Sequence, residues 1–312
     1  MATVIVIGAI NLDCLAYIPH FPNKGDNIRA KDLRCSLGGR GANQVVAFTN
    51  LKVAALLLGK VGNDFPGDYA LSILRKYKVN TEYVFKSNSS KTGICSILIS
   101  PDGENTILGF PAINRMIQPD FLMRFEYLFE IAQWLSISLE YPLDVVEFAL
   151  KLARKYGLKT VLDPSPLIEL PEQNIWNMVD YILPNKKEIE ILTGEEEMLQ
   201  GAIVLKNWGA GEVIIKQGSQ GSSFLYQDNL INVPAFPVKS VVDTTGAGDL
   251  FDAAFIYGLM QSNSISRAAR IANLVASYSV QKPGTCESFP ERREIDWEQL
   301  EKRKEGLFNH QD

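Results

Sequence analysis

Residues Asp243-Thr244-Thr245-Gly246-Ala247-Gly248-Asp249 place a small, glycine-rich turn between two carboxylates. An apolar lead-in (Val238, Val241, Val242) precedes the turn, and a helix-like run from Leu250 to Gly258 follows it. A turn that opens a helix leaves several backbone N–H groups without intrahelical partners, and the helix dipole adds to their pull on anions. Glycine lets a ligand approach the backbone closely. Gly246, Ala247 and Gly248 are therefore candidates to seat a phosphate or a developing oxyanion. Asp249 is misplaced for anion binding alone, because its charge repels such a ligand. It fits a general base that takes a proton from a hydroxyl attacking phosphorus. The plainer alternative is an acid that only favours a helix N-terminus.

Other segments could complete that chemistry. Gly38-Gly39-Arg40-Gly41-Ala42-Asn43-Gln44 leads into the helical run Val45–Phe48, where backbone N–H groups and the Asn43 amide could bind hydroxyls. A structural glycine turn is the competing explanation. Asn11 and Asp13 follow the first apolar run two residues apart, so both side chains can point to one side. Such a pair suits sugar hydroxyls, or simply caps a turn. Glu140 lies just past the strand-like run that ends near Ile137. Asn185-Lys186-Lys187-Glu188 has capping-box spacing, and Glu188 could also orient a hydrated Mg²⁺. Lys216-Gln217-Gly218-Ser219-Gln220-Gly221 is a turn between two β runs that could hold nucleotide or be only a hairpin. No G-x-x-x-x-G-K-[ST] motif is present, and Gly8-Ala9-Ile10-Asn11 fails the G-x-G-x-x-G dinucleotide pattern.

The elements that would position these residues alternate. Val4–Gly8, Leu56–Gly59, Trp134–Ile137, Thr160–Asp163, Tyr181–Pro184 and Val213–Lys216 read as buried strands. Amphipathic stretches separate them; in Leu143 to Tyr156 the residues Val146, Ala149, Leu150 and Ala153 share one helical face. The pattern predicts an α/β fold with a parallel sheet covered on both sides, and ligands at the carboxyl ends of its strands. Residues 14–36 have no helical period, and residues 92–109 read as a hairpin turning at Pro101-Asp102-Gly103-Glu104. These two segments predict a small secondary sheet, a lid on a single domain spanning residues 1–312. A charged helix and a polar tail are expected from Glu298 onward.

Composition sets the surroundings. Apolar residues make up 46% of the 312, charged residues 21%, and the net charge is −5, which argues against nucleic acid or anionic membrane as partners. No run has the length of a membrane span, and Met1-Ala2-Thr3-Val4 enters a strand without a basic leader, so a cytoplasmic protein is expected. Cys14, Cys35, Cys95 and Cys286 are scattered, with only His20 and His310 to join them, so neither a structural zinc nor a disulfide framework is expected.

G-G-R-G-A-N-Q at 38–44 and D-T-T-G-A-G-D at 243–249, in this order and with the strands between them, resemble the ribokinase-like (phosphofructokinase-B type) family of carbohydrate kinases. The likeness runs from the first strand to about Pro290, and Leu139-Glu140-Tyr141-Pro142, Leu162-Asp163-Pro164-Ser165-Pro166, Gly284 and Ser288-Phe289-Pro290 are similar in style to its ribokinase group. The resemblance implies a three-layer fold with a central, mostly parallel sheet and a small β-sheet lid. It implies ATP-dependent phosphorylation of a hydroxymethyl group of a small sugar, ribose to ribose 5-phosphate first. A nucleoside, fructose or keto-deoxy sugar acid is the same-fold alternative, and a catalytically silent sugar-binding regulator the alternative from another class.

Carried over by resemblance, Asp249 is the catalytic base and Gly246, Ala247 and Gly248 the anion hole. Asn11, Asp13, Gly39, Asn43 and Glu140 hold the sugar, with Arg40 in the same loop. Asn185, the turn Lys216, Gln217, Gly218, Ser219 and Gly221, together with Gly248 and Asn273, meet ATP. Glu188 is linked to Mg²⁺ through water. Asp243, Thr245, Ser279, Lys282, Gly284 and Ser288 surround an activating K⁺. A homodimer through the lid is implied as well. The chain departs from the family pattern at Arg40 (usually Lys), Lys216 (commonly Thr), Pro111-Ala112-Ile113-Asn114 (usually Gly-Ala-Asn) and Cys286 (commonly Gln). Arg is bulkier and forked where Lys is a point charge, so Arg40 bears on the choice of substrate.

Overall fold

The apolar run that opens the chain becomes β1 (Thr3–Ile7), and its alternating residues serve two separate cores. Val4 and Val6 face one, Ile5 and Ile7 the other, as the two-residue period of a strand requires. A strand flanked by apolar packing on both faces belongs in the middle of a three-layer α/β structure. The computed structural model describes residues 3–102 and 104–302; Gly103 of the expected turn and the polar tail at 303–312 lie outside them.

Beside β1, the main sheet of the described residues holds β4 (Ala54–Gly62), β5 (Val84–Ser87), β8 (Trp134–Ser138), β9 (Lys159–Asp163), β10 (Tyr181–Ile182), β11 (Glu212–Lys216), β12 (Ser222–Tyr226) and β13 (Asn229–Val233). Its order is β13-β12-β11-β10-β9-β8-β1-β4-β5. All pairings from β5 to β11 are parallel, and β12 and β13 add an antiparallel edge. On one face lie α1 (Arg40–Asn50), α2 (Phe65–Lys76), α8 (Ala247–Gln261), α9 (Ile265–Ser279) and α10 (Gln299–Lys302). On the other lie α3 (Pro119–Met123), α4 (Glu126–Ile131), α5 (Leu143–Tyr156), α6 (Lys186–Thr193) and α7 (Met198–Asn207). The face that α5 buries contains Val146, Ala149, Leu150 and Ala153, the stripe its sequence period predicts. Each large aliphatic side chain so buried contributes about 1.5–3 kcal/mol, which fixes the strand ends that carry the polar residues. No helix among the described residues is long and apolar enough to cross a membrane.

A second, four-stranded sheet has the order β3-β2-β6-β7, from β2 (Asn11–Tyr17), β3 (Asp32–Gly38), β6 (Gly93–Ile99) and β7 (Asn105–Phe110). It is the small sheet expected from residues 14–36 and 92–109, and it begins earlier, at Asn11. Asn11 and Asp13 therefore lie on a strand of this sheet, paired with Gly38 and Ser36 of β3 and with Gly93 and Cys95 of β6. Its far side is open: all six residues of β7 are exposed, among them Ile107, Leu108 and Phe110.

Candidate active site

Because β1, β8, β9, β10 and β11 run parallel, their carboxyl ends share one edge of the sheet, and the residues that follow them meet there. Across that edge stands the N-terminus of α8, whose N-cap Gly246 has φ 74° and offers no side chain to the first turn. A Cβ at Gly246 would also meet Thr285 Cγ2 at 2.4 Å, so only glycine fits this turn. The first-turn N–H groups are thus left to a ligand.

Asp249 lies in that first turn and is buried. Asn43 Nδ2 donates to its Oδ2 at 2.7 Å and Arg40 Nη1 to its Oδ1 at 3.1 Å. Burial pushes its pKa up while Arg40 pulls it down, and the net shift is upward. A carboxylate raised toward neutrality, with lone pairs left for one more donor, can take the proton of a hydroxyl.

On one side of Asp249 the walls are polar side chains. Asp13 is 9% exposed, and its Oδ1 has no hydrogen-bond partner. Burial pushes the Asp13 carboxyl up to about 7, with the charges of Glu140 and Asp249 adding to it against a hydrogen bond from Cys95. An orphaned buried oxygen is costly unless a ligand satisfies it. Asn11 Oδ1 accepts from Asn114 Nδ2 at 2.8 Å. The Glu140 carboxylate accepts from Ala9 N at 2.8 Å, from Arg40 N at 3.2 Å and from Ser138 Oγ at 3.1 Å. It thereby clamps the N-terminus of α1 to the end of β1, and burial raises its pKa against the pull of Arg40. Gly39, the N-cap of α1, has φ 88°, and a Cβ there would meet the Ala9 carbonyl oxygen at 2.3 Å. The Arg40 side chain turns to carboxylates: Nη1 donates to Asp163 Oδ2 at 2.5 Å as well as to Asp249, and Nη2 to Ser165 Oγ at 2.6 Å.

On the other side of Asp249 a cavity of about 600 Å³ opens, lined by Lys216, Gly218, Ser219, Gly221, Gly248 and Asn273 and by the apolar Val238, Val241, Phe251, Ala276 and Val280. That volume is in the range of small-ligand and cofactor sites. The Asn273 amide donates to Ser222 Oγ at 3.1 Å and to the Val233 carbonyl at 2.9 Å, tying α9 to the β12–β13 edge. Gln217 closes the turn through its N–H to the Gly221 carbonyl at 2.8 Å, while its side-chain oxygen accepts from Ser223. Asn185 and Glu188 form the capping box of α6, with reciprocal bonds of 2.9 and 2.8 Å.

The glycine turn is braced from behind. Asp243 Oδ1 accepts from Thr245 N at 2.9 Å and from its Oγ1 at 2.6 Å, and Oδ2 accepts from Gly284 N at 3.0 Å. Ser279 and Lys282 belong to the turn that follows α9, where Lys282 N donates to the Ser279 carbonyl, and Ser288 Oγ donates to the Thr285 carbonyl.

Three further residues complete the site. Asp163, at the end of β9, accepts from Arg40 and lies 3.4 Å from Lys216 Nζ. Burial opposes its charge, but those two cations hold it below the usual carboxylate range. Its position at a strand carboxyl end, like that of Glu140, was the available signal. Asp252 lies one helical turn after Asp249 and 3.1 Å from Lys216 Nζ. Asn114 meets Asn11 from 103 residues away, a contact that the stretch Pro111-Ala112-Ile113-Asn114 does not by itself indicate.

The model of the pfkB family of carbohydrate kinases matches residues 1–292. Deoxyribokinase of Salmonella typhimurium is 31% identical over 290 residues, covering 91% of this chain and 94% of its own. Ribokinase of Schizosaccharomyces pombe is 32% identical over 311 residues, covering 95% and 97%. The structure of Arabidopsis thaliana ribokinase complexed with ribose and ATP superposes with a TM-score of 0.86 at 28% identity, covering 94% of this chain and 97% of that one. The chain belongs to the pfkB family of carbohydrate kinases, and it is a ribokinase-type sugar kinase, a phosphotransferase with an alcohol group as acceptor.

Proposed function

We propose that the acceptor is the hydroxymethyl group of a pentose, ribose before deoxyribose, and that the donor is ATP. The observation that carries this reading is the placement of Asp249 between two unlike compartments: a wall with the unsatisfied Asp13 oxygen and the Asn11 and Asn43 amides, and the 600 Å³ cavity behind Gly248. A sugar on the first side would present its hydroxyl to Asp249, which takes the proton as the oxygen attacks the terminal phosphorus. The N–H groups at the start of α8 would meet the negative charge on the transferred phosphoryl. The named relatives act on ribose and on deoxyribose, and the Arabidopsis ribokinase binds ribose with ATP, which supports a pentose here.

The reading includes two cations. Mg²⁺ would neutralise the nucleotide phosphates, held through water by Glu188, which stands at the N-terminus of α6 close enough to act on the Lys216 charge. K⁺ would sit behind the anion turn, where Asp243 already gathers Thr245 and Gly284. We further place the protein in the cytoplasm, on its unpaired cysteines. We also place a second copy on the lid, whose β7 exposes Ile107, Leu108 and Phe110 along an open edge. ATP consumption across ribose, deoxyribose, fructose, nucleosides and a keto-deoxy sugar acid tests the substrate. Turnover of ribose at the highest kcat/KM is the expected result; a nucleoside or a sugar acid ahead of both pentoses refutes the pentose reading. A monomer by sedimentation would refute the dimer alone.

A further inference from the structure

Lys216 ends β11 and begins the nucleotide turn, yet its side chain does not follow the turn. Nζ lies 3.1 Å from Asp252 Oδ1 and 3.4 Å from Asp163 Oδ2, with the side chain 12% exposed. The same ammonium is 3.9 Å from the point where a Cβ on Gly248 would sit. Lys216 and Gly248 line the same cavity, so this cation stands beside the turn proposed to seat the transferring phosphoryl.

The charges around that point are unusual for a phosphate seat. Three buried carboxylates, Asp163, Asp249 and Asp252, approach within 4.8 Å of one another. Two cations, Arg40 and Lys216, are set among them. With every group ionised this leaves an excess negative charge where an anion has to enter, and like charges in a buried site repel strongly. Burial pushes the Asp252 carboxyl up the pH scale against the pull of Lys216, so the site holds that negative charge least readily. The Asp252 carboxylate, also within 3.4 Å of Gln44 Nε2, is shared between two donors and so holds the ammonium beside it less exclusively.

The two cations are not equally free to move. Arg40 is forked across Asp163, Asp249 and Ser165 and cannot leave without breaking three contacts. Lys216 is a point charge on a flexible four-carbon stem. Resting on the reading that this cavity takes a nucleoside triphosphate, the geometry points to Lys216 as a further catalytic residue: its ammonium turns from Asp252 to a non-bridging oxygen of the transferring phosphoryl. The balance of the step is simple. The bond from the terminal phosphorus to the bridging oxygen of the nucleoside diphosphate breaks, and a bond from phosphorus to the sugar hydroxyl oxygen forms. The hydroxyl proton goes to Asp249. Lys216 keeps all its protons and donates hydrogen bonds only. Asp163, 3.4 Å from Nζ, is the tether that keeps the ammonium near the seat when it leaves Asp252.

The competing explanation is a buried counterion whose one task is to neutralise Asp252 and Asp163. The double variant Lys216→Met/Asp252→Asn separates the two, because it removes both charges of the pair and relieves the single variant of an unpaired buried carboxylate. The expected result is a double variant with thermal stability recovered relative to Lys216→Met but kcat still down roughly 10²-fold, the size of one lost oxyanion donor. Its KM for the sugar should change little, and the preference of the enzyme for ATP over ADP, read from the two binding constants, should shrink. Lys216→Arg, which keeps the charge, should retain part of the kcat and of that preference. A folded double variant with wild-type kcat and an unchanged ATP:ADP ratio overturns the inference and leaves Lys216 a structural counterion. If the double variant fails to fold, the ATP:ADP ratio and kcat of Lys216→Arg against Lys216→Met decide, and equality of the two overturns it. Failure of wild-type protein to bind ATP would instead overturn the nucleotide reading, and the inference with it.

Discussion

The two compartments that meet at Asp249 are built on different principles. The side we assign to the sugar is a wall of side-chain groups, Asn11, Asp13, Asn43 and Asn114 around Asp249, each placed by a specific hydrogen bond or left open for one. The side we assign to the nucleotide is mostly glycine backbone and apolar surface, Gly218, Gly221, Val238, Val241, Ala276 and Val280. Hydrogen-bonding sites discriminate strongly, because a ligand lacking one partner leaves a buried polar group unpaired. Apolar surface recognises shape and area, so one methyl more or less changes affinity only modestly. Substitutions on the acceptor side should therefore alter which sugar is used, and those on the donor side how tightly the nucleotide is held.

The shared residue is the sharpest place to test that division. Asp249→Asn keeps the shape between the compartments and removes the base; kcat should fall roughly 10²–10⁴-fold while sugar binding persists. Single-turnover kinetics with a confirmed sugar would check it, and a near-normal kcat would remove Asp249 from the mechanism. Next in size is Gly248→Val. Apart from Lys216 Nζ, no atom outside its own chain neighbourhood lies within 4 Å of a Cβ there, so the fold should tolerate the change while the cavity does not. The KM for nucleotide should rise by roughly tenfold or more, about 1.4 kcal/mol, with the sugar KM unmoved; a rise in the sugar KM alone would break the division of labour.

A smaller effect is expected on the acceptor side with pH. The Asp13 carboxyl, at about 7 in the folded protein against an ordinary 3.8, is largely protonated below neutrality. The sugar KM should fall severalfold as pH rises through about 7 and the second oxygen becomes a full acceptor, and Asp13→Asn should flatten the profile. The stability sign is opposite. A carboxyl raised on folding holds a proton that the unfolded chain releases, so the folded state loses stability as pH climbs from the unfolded value through about 7. Melting curves at about pH 6 and about pH 8 should show wild type losing more than Asp13→Asn. Equal losses would place the titration elsewhere. Smallest is the response to K⁺ added at constant ionic strength, a few-fold rise in kcat, abolished in Asp243→Ala. A flat response with a fully active Asp243→Ala enzyme would leave Asp243 as a turn brace only.

Much of this was legible in the chain itself, and the reason is locality. The helix over Leu143–Tyr156, the Asn185/Glu188 capping box and the glycine turn ahead of Asp249 are each settled by residues within a few positions of one another. Strand carboxyl ends could be read from short apolar runs, so Glu140 and Lys216 fell at one edge before any coordinates. What the sequence left open is pairing over distance. Arg40 reaches Asp163 across 123 positions and Asp249 across 209, and Asn114 reaches Asn11 across 103. Whether Arg40 would face a sugar or a carboxylate, and whether Lys216 would follow its turn or leave it, depends on which buried charges lie nearby once the sheet has closed. A charge removed from water must find its partner there, and that choice is made by tertiary packing, where no period or spacing in the chain records it.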